Sequence, residues 1–279
     1  MNDEMMASPM GCHLAAGMQK FIHITDPHFV PPGNLLYGLN PIDRLALCIA
    51  DVNKHHGDAA FAIVTGDLAH MGQFEAYEAL KRELDKLSMP YHLLVGNHDD
   101  RANFRAVFPG AAADANGFVQ FTFEMGEGVL GICLDTNEPG KPWGSFCATR
   151  AAWLRQTLDE TGERPVIVFM HHPPFKVRLK RMDDISLLEP GHFVEAVAGR
   201  HNIRHLFFGH LHRPVAGSWR GIPVSTLRAT SHQVALDFVI EGRIMGSHEP
   251  PAYGVVLLEP DQMIVHMHDF LDRTNTFLL

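Results

Sequence analysis

The chain has 279 residues, of which 46% are hydrophobic and 20% charged, a balance typical of a globular protein with a sizeable core. Its formal net charge of -9 argues against a surface that binds a nucleic-acid polymer, because such surfaces are basic. No stretch approaches the roughly 20 apolar residues that a membrane-spanning helix needs. The four cysteines form no C-x-x-C pair, which favours reduced thiols in a cytoplasmic protein.

Residues 1–17 carry acidic side chains at Asp3 and Glu4 but no Lys or Arg, and they lack a sustained apolar core. They therefore do not resemble a secretory signal, and we expect a flexible N-terminal tail. The remainder, 18–279, is expected to form a single domain.

The first hundred residues predict alternating strands and helices. Strands are expected at 21–25, 60–64 and 91–95, and helices from Asn40-Pro41 and over 73–87. Such alternation implies parallel pairing with right-handed crossovers.

The middle of the chain predicts a hairpin from 118–123 and 129–134, because glycines lie between two apolar segments. Further elements are expected as a helix at 151–160, a strand at 166–170, a helix at 193–199 and a strand at 203–208. Later strands are expected at 215–219, 223–227, 234–240, 254–258 and 263–268. We expect an α/β fold, a four-layer αββα sandwich of two mixed β-sheets flanked by helices.

Two parts of this predicted domain stand apart. The longest irregular segment, 173–190, is a possible cap loop and carries basic side chains at Lys176, Arg178, Lys180 and Arg181. The C-terminal part, 240–279, is rich in predicted strands.

Five short segments each follow a predicted strand and supply carboxylate, amide or imidazole groups. They are Asp26-Pro27-His28, Gly66-Asp67, Gly96-Asn97-His98-Asp99, His171-His172 and Gly209-His210-Leu211-His212. These groups are ligands for divalent ions such as Mn, Fe, Zn or Co. Ligands in open α/β sheets gather at the carboxyl ends of strands. Asp26 and His28 are two residues apart, as are His210 and His212, so an extended backbone would point both members of each pair to one side.

This series resembles the calcineurin-like metallophosphoesterase superfamily, whose pattern is D-x-H, G-D, G-N-H-D/E, H and G-H-x-H, and the match spans roughly residues 21–213. The segments G-N-H-D-D and H-H-P-P resemble the branch of class III cyclic-nucleotide phosphodiesterases and bacterial glycerophosphodiesterases. The resemblance implies two divalent ions with seven ligands: Asp26, His28 and His212 for one, Asn97, His171 and His210 for the other, and Asp67 bridging both.

Such a centre would be positive within a negative protein. Two divalent ions contribute four positive charges, whereas Asp26 and Asp67 contribute two negative charges and a bridging hydroxide contributes one. A bridging water loses its proton near neutral pH and can attack phosphorus. We expect His98 to act as general acid or as a donor to the phosphoryl oxygen, with Asp99 orienting its ring. Asn97, His98 and His212 are expected to contact the substrate.

We expect a phosphodiesterase acting on small diesters such as cAMP or glycerophosphodiesters. A phosphomonoesterase needs the same centre and stays an alternative, whereas a nuclease is disfavoured by the acidic chain. A non-catalytic scaffold should have lost ligands, and none is missing here. His172 either supports the ligands or is simply buried beside His171. His232 is a weaker candidate for the rim of the cleft. The resemblance permits a homodimer or higher homo-oligomer through the C-terminal region, where 245–254 is a candidate arm.

Overall fold

The computed structural model describes residues 18–239, 242–274 and 277. The predicted tail, 1–17, lies outside the described residues. Within them, thirteen strands and six helices follow one another: β1 (Gln19–Ile24), α1 (Pro41–His56), β2 (Phe61–Thr65), α2 (Phe74–Leu84), β3 (Tyr91–Leu94), α3 (Arg101–Val107), β4 (Phe121–Gly126), β5 (Val129–Cys133), α4 (Ala148–Thr161), β6 (Val166–Phe169), α5 (Lys180–Asp183), α6 (Gly191–Val197), β7 (Ile203–Phe207), β8 (Val215–Trp219), β9 (Ile222–Thr226), β10 (Gln233–Val234), β11 (Gly246–Ser247), β12 (Tyr253–Leu258) and β13 (Met263–His268).

Two large mixed sheets form the centre of the fold. The first has the strand order β13-β12-β1-β2-β3, and the second has the order β4-β5-β6-β7-β9-β8. The central strands β1, β2 and β3 are parallel, as are β5, β6, β7 and β9, whereas β12, β13, β4 and β8 are antiparallel to their neighbours. The small pair β10–β11 is separate.

Successive residues of each central strand face opposite sides of their sheet, so each sheet contributes to two cores. Between the sheets, the Phe21 ring stacks on Phe61 with centroids 4.9 Å apart, and Phe169 stacks on Phe207 at 5.3 Å. On the outer faces, one core joins the first sheet to α1 and α2, and another joins the second sheet to α4 and α6. The four-layer αββα prediction is therefore confirmed.

The predicted start of the first helix is also confirmed. Asn40 is the N-cap of α1, its side-chain oxygen accepts the N–H of Ile42 at 3.1 Å, and Pro41 takes the first helical position. No helix among the described residues is long and apolar enough to cross a membrane. Of the cysteines in the described part, Cys48 and Cys133 are buried thiols and Cys147 is partly exposed.

Two predicted strands differ from those observed. The strand predicted at 234–240 is reduced to Gln233–Val234, and residue 240 itself lies outside the described part. Leu236 and Phe238 are 59% and 65% exposed, so no sheet buries this apolar run. The hairpin strand begins at Phe121 rather than 118, because the Asp114 carboxylate accepts the Phe118 N–H and closes a turn there.

Candidate metal centre

The five predicted segments meet at one place in the fold. They leave the carboxyl ends of β1, β2 and β3 in the first sheet and of β6 and β7 in the second. The structure thus brings the seven predicted ligands together where the strand ends of both sheets converge. Six of them are buried, and Asn97 is partly exposed.

Asp67 lies at the middle of this cluster, with its two carboxylate oxygens facing different partners. Oδ2 is 3.3 Å from Nε2 of His28, and Oδ1 is 3.3 Å from Nε2 of His171. The carboxylate therefore divides the cluster into two groups, which is the arrangement that a bridging ligand requires.

The first group contains Asp26, His28 and His212. Nε2 of His212 is 3.0 Å from Nε2 of His28 and 3.4 Å from Oδ1 of Asp26. One ligand atom from each of these residues and from Asp67 fits within 4.8 Å. Two carboxylates and two imidazoles converging in a buried space suit a borderline divalent ion.

The second group contains Asn97, His171 and His210. The amide oxygen of Asn97 is 3.3 Å from Nε2 of His171 and 3.1 Å from Nδ1 of His210. This donor set also fits a divalent ion, with Asp67 Oδ1 as its anionic member. Nε2 of His210 and Nε2 of the neighbouring His172 are both buried without a hydrogen-bond partner.

Hydrogen bonds outside the cluster set the tautomers of its histidines. His171 donates Nδ1–H to the Thr65 carbonyl and His212 donates Nδ1–H to the His232 carbonyl, each at 2.7 Å. A carbonyl can only accept, so the neutral form of each ring has its lone pair on Nε2, where it can bind an ion. The ring of His210 has the opposite orientation, because its Nδ1 rather than its Nε2 faces the Asn97 amide oxygen.

The electrostatics keep the carboxylates ionised. Burial raises the pKa of Asp67, but the neighbouring rings, His171 foremost, lower that pKa more, so it lies well below its usual range. The pKa of Asp26 is also lowered, because His212 outweighs burial. Burial holds the pKa of His28 well below its usual value. Burial lowers the pKa of His171, but the Asp67 carboxylate raises that pKa more, to about 9, so a cation that binds here would displace a proton from this ring.

The backbone of the site departs from the sequence-based expectation. Five of the candidate ligands have left-handed backbone angles, with φ of 51° at Asp26, 47° at His28, 48° at Asp67, 68° at His210 and 49° at His212. The predicted extended exit is therefore wrong, although Asp26 and His28 do face the same ligand group. Non-glycine residues in this region cost of order 1–3 kcal/mol each and persist where the surroundings impose them, commonly at functional sites.

Glycines at the strand ends allow this crowding. A Cβ on Gly66, whose φ is +92°, would lie 2.5 Å from Nδ1 of His171. A Cβ on Gly96 would overlap Oδ1 of Asp67, although the φ of Gly96 is not positive. At Gly96 the requirement is therefore close approach of a ligand rather than a sharp turn.

The predicted contact between Asp99 and the ring of His98 is wrong. The Asp99 carboxylate accepts backbone N–H groups from Leu68, Ala69 and Gly96 at 3.1, 3.0 and 2.8 Å. The ring of His98 instead bonds through Nδ1 to the carbonyl of His70, at 2.6 Å. Burial and the nearby Asp67 raise the pKa of Asp99 to about 6.

A cavity of about 650 Å³ opens beside the cluster. Asn97, His98 and His212, the predicted substrate contacts, all line it. His232 lines it too, with its ring centroid 4.6 Å from that of His212, so its predicted place at the cleft is confirmed.

Several lining residues were not predicted, and Tyr37 and His70 are the aromatic ones nearest the cluster. His70 lies three positions after Asp67 on the same strand exit, so the strand-end argument could have included it. Tyr37 gives no such signal, because it lies in the loop before α1 and is far from any motif. The possible cap loop contributes Met182 and Ile185 to the cavity, whereas its four basic side chains are not among the lining residues in the described part of the chain.

Comparisons with known proteins agree with this geometry. Residues 19–214 match the family model for the calcineurin-like phosphoesterase. A probable cyclic nucleotide phosphodiesterase of Rhodopseudomonas palustris is 46% identical over 255 residues, covering 90% of this chain and 93% of that protein. A glycerophosphodiester phosphodiesterase of Enterobacter lignolyticus is 31% identical, covering 76% of this chain and 77% of the relative.

Among solved structures, a dimetal phosphatase from Danio rerio superposes with a TM-score of 0.68 at 14% identity, covering 91% of this chain and 97% of its own. That likeness supports the fold, and the matched model covers well over half of the chain. The chain belongs to the calcineurin-like phosphoesterase family.

Proposed function

We propose that this protein is a two-metal phosphodiesterase that hydrolyses small phosphodiesters, with cyclic nucleotides as the first candidates. The observation that carries the proposal is the position of Asp67, whose two oxygens face two separate ligand groups at the floor of a cavity. Two bound divalent ions would activate water for attack on phosphorus and stabilise the charge that develops there.

The proposed ligands are those predicted: Asp26, His28 and His212 for one ion, Asn97, His171 and His210 for the other, and Asp67 between them. Asp99 would hold the loops that carry Asp67 and Asn97. His98 faces the cavity, but its Nδ1–H is committed to a carbonyl, so its neutral ring offers only a lone pair at Nε2. The proposed general acid at His98 therefore requires the imidazolium form, from which Nε2 can donate.

The walls of the cavity favour a substrate with a flat, apolar portion. Met182, Ile185 and Ile244 line it, and the ring of Tyr37 packs edge-on against His232 with centroids 4.7 Å apart. Apolar and aromatic walls suit a nucleobase better than a small polar headgroup. The relatives named for glycerophosphodiesters keep that class as the second candidate.

The test is a substrate panel with Mn-loaded protein: cAMP, cGMP, glycerophosphocholine, bis-p-nitrophenyl phosphate and p-nitrophenyl phosphate. We expect diesters to be preferred over the monoester, activity to fall on chelation by EDTA, and Mn to restore it. A preference for p-nitrophenyl phosphate would instead support the phosphomonoesterase alternative. Metal-loaded protein with no hydrolysis of any of the five would support the non-catalytic alternative.

The apolar wall can be tested separately. Ile185→Ser should lower kcat/KM for cAMP more than for glycerophosphocholine, since only the nucleobase would lose an apolar contact. Ile264→Ser, an exposed site on β13, is the matched control. Equal losses for both substrates would contradict a base-binding wall.

The cytoplasmic location and the possible homodimer through 245–254 stay predictions from the sequence. Free thiols at Cys48 and Cys133 support the first.

A further inference from the structure

His70 is a cavity-lining histidine outside the proposed ligand set. It is half-buried, and its backbone N–H donates to the Phe29 carbonyl at 2.8 Å. Its ring stacks on that of His98, with centroids 4.9 Å apart and planes 19° from parallel. The side chain is therefore held beside the substrate space.

The ring of His70 contacts one of the proposed ligands. Nδ1 of His70 lies 3.2 Å from Nδ1 of His28, so one atom must carry a hydrogen and the other a lone pair. Nε2 of His28 faces the cluster, 3.3 Å from the Asp67 carboxylate. With Nε2 of His28 as the coordinating atom, the hydrogen of its ring sits on Nδ1, and Nδ1 donates to His70.

This contact decides the tautomer of His70. Because its Nδ1 accepts from His28, the single ring hydrogen of neutral His70 is on Nε2. The neighbouring ring has the other tautomer. His98 donates Nδ1–H to the His70 carbonyl, so neutral His98 carries a lone pair on Nε2. Two stacked rings that line one cavity thus present a donor and an acceptor.

We propose that His70 is a catalytic residue that donates its Nε2–H to an oxygen of the bound phosphodiester, in a tautomer imposed by His28. The inference rests on the proposed function, because it takes the diester as the acceptor. A phosphate oxygen carries negative charge, so this hydrogen bond is charge-assisted, and it strengthens as charge builds in the transition state. No proton transfer from His70 is required.

Two substitutions test the roles of the two ring nitrogens separately. His70→Asn places an amide oxygen near Nδ1, which keeps an acceptor for His28, but it has no donor near Nε2. His70→Gln places an amide nitrogen near Nε2, which keeps a donor toward the cavity, but it lacks the acceptor near Nδ1. His266→Asn, at an exposed position on β13, is the matched control.

For each variant we would measure Zn affinity by calorimetry, and kcat and KM for bis-p-nitrophenyl phosphate at saturating Mn. We expect His70→Asn to keep its Zn affinity within about 3-fold and to lose about 10- to 100-fold in kcat/KM. His70→Gln should bind Zn more weakly but keep kcat/KM within about 10-fold of the wild type. Wild-type kcat/KM in His70→Asn would overturn the proposal, leaving His70 as a positioning residue for His28.

Nitrogen NMR of Zn-loaded, 15N-histidine-labelled protein gives a readout independent of turnover. The signals of His70, assigned by their loss in His70→Gln, should show a protonated Nε2 and a bare Nδ1. The reverse pattern would overturn the imposed tautomer. If the wild type hydrolysed no diester, that result would contradict the proposed function alone. The spectrum would still show which ring nitrogen of His70 is protonated.

Discussion

The Tyr77 hydroxyl donates a 2.8 Å hydrogen bond to the Asp99 carboxylate, and the same hydroxyl accepts the Asp100 N–H at 2.9 Å. Asp99 also accepts backbone N–H groups from the loops that follow β2 and β3. A side chain of α2 thus holds in place the carboxylate that joins the two loops that carry Asp67 and Asn97.

Tyr77→Phe should lower the free energy of unfolding by about 1–3 kcal/mol, because a buried carboxylate loses a donor and the Asp100 N–H loses an acceptor in a partly buried hydrogen bond. Urea unfolding measures the change. Tyr91→Phe removes a hydroxyl that bonds the exposed Asp85, and a change within about 0.5 kcal/mol is expected there. Equal losses in both variants would contradict the supporting role of Tyr77.

Gly96→Ala should disrupt the metal site, because the new Cβ would overlap the Asp67 carboxylate and lie 2.7 Å from Cε1 of His171. We expect Zn affinity to fall by at least about 10-fold, as for loss of groups that orient ligands. Gly110→Ala is the matched control, since its Cβ would meet nothing within 4 Å. Unchanged Zn affinity in Gly96→Ala would show that the site tolerates displacement of Asp67.

The number of metal ions bound per chain should distinguish the two ligand groups. Asp67→Ala removes the carboxylate that both groups share, so less than one tightly bound ion per chain is expected. His171→Ala affects the second group alone and should leave about one. Metal analysis after gel filtration gives the ratio, with His92→Ala, on β3, as the control. Two tightly bound ions in Asp67→Ala would contradict a bridging role.

Asp135 pairs with two arginines beneath the site. It is fully buried and accepts two 2.7 Å bonds from Arg101, and its Oδ1 is 3.9 Å from Arg150. Asp135→Ala should cost about 3–5 kcal/mol of unfolding free energy, because the partly buried Arg101 loses its carboxylate partner and the buried Arg150 keeps only Glu138, at 3.6 Å. Asp85→Ala, which breaks the exposed pair with Lys81, should change it by less than about 1 kcal/mol. Denaturant unfolding of both variants decides whether burial makes this difference.

His205 should make stability depend on pH. Burial lowers its pKa from 6.5 to about 4. Between these values the unfolded chain binds a proton that the folded protein does not, so stability rises with pH. Between pH 7.5 and 5, metal-free wild type should lose about 2 kcal/mol more than His205→Gln. Urea unfolding in EDTA measures the free energy of unfolding at each pH. The same pH dependence in both proteins would contradict the lowered pKa of His205.

Much of the fold was predictable because its signals are local. Apolar runs of four to six residues mark the buried parallel strands, and Asn40-Pro41 marks a helix start. One failure has a tertiary cause and the other a local one. The run after Val234 is apolar but finds no sheet to bury it, and the Asp114 turn displaces the start of β4.

The sequence by itself determined which residues form the candidate site, because each motif follows a strand and parallel strands place their carboxyl ends together. Tertiary structure alone decided which atoms of those residues face one another. The left-handed backbone at Asp26, the support of two loops by Asp99 and the contact between His28 and His70 depend on how loops from different strands pack together. The strand signal within each segment carries no information about that packing.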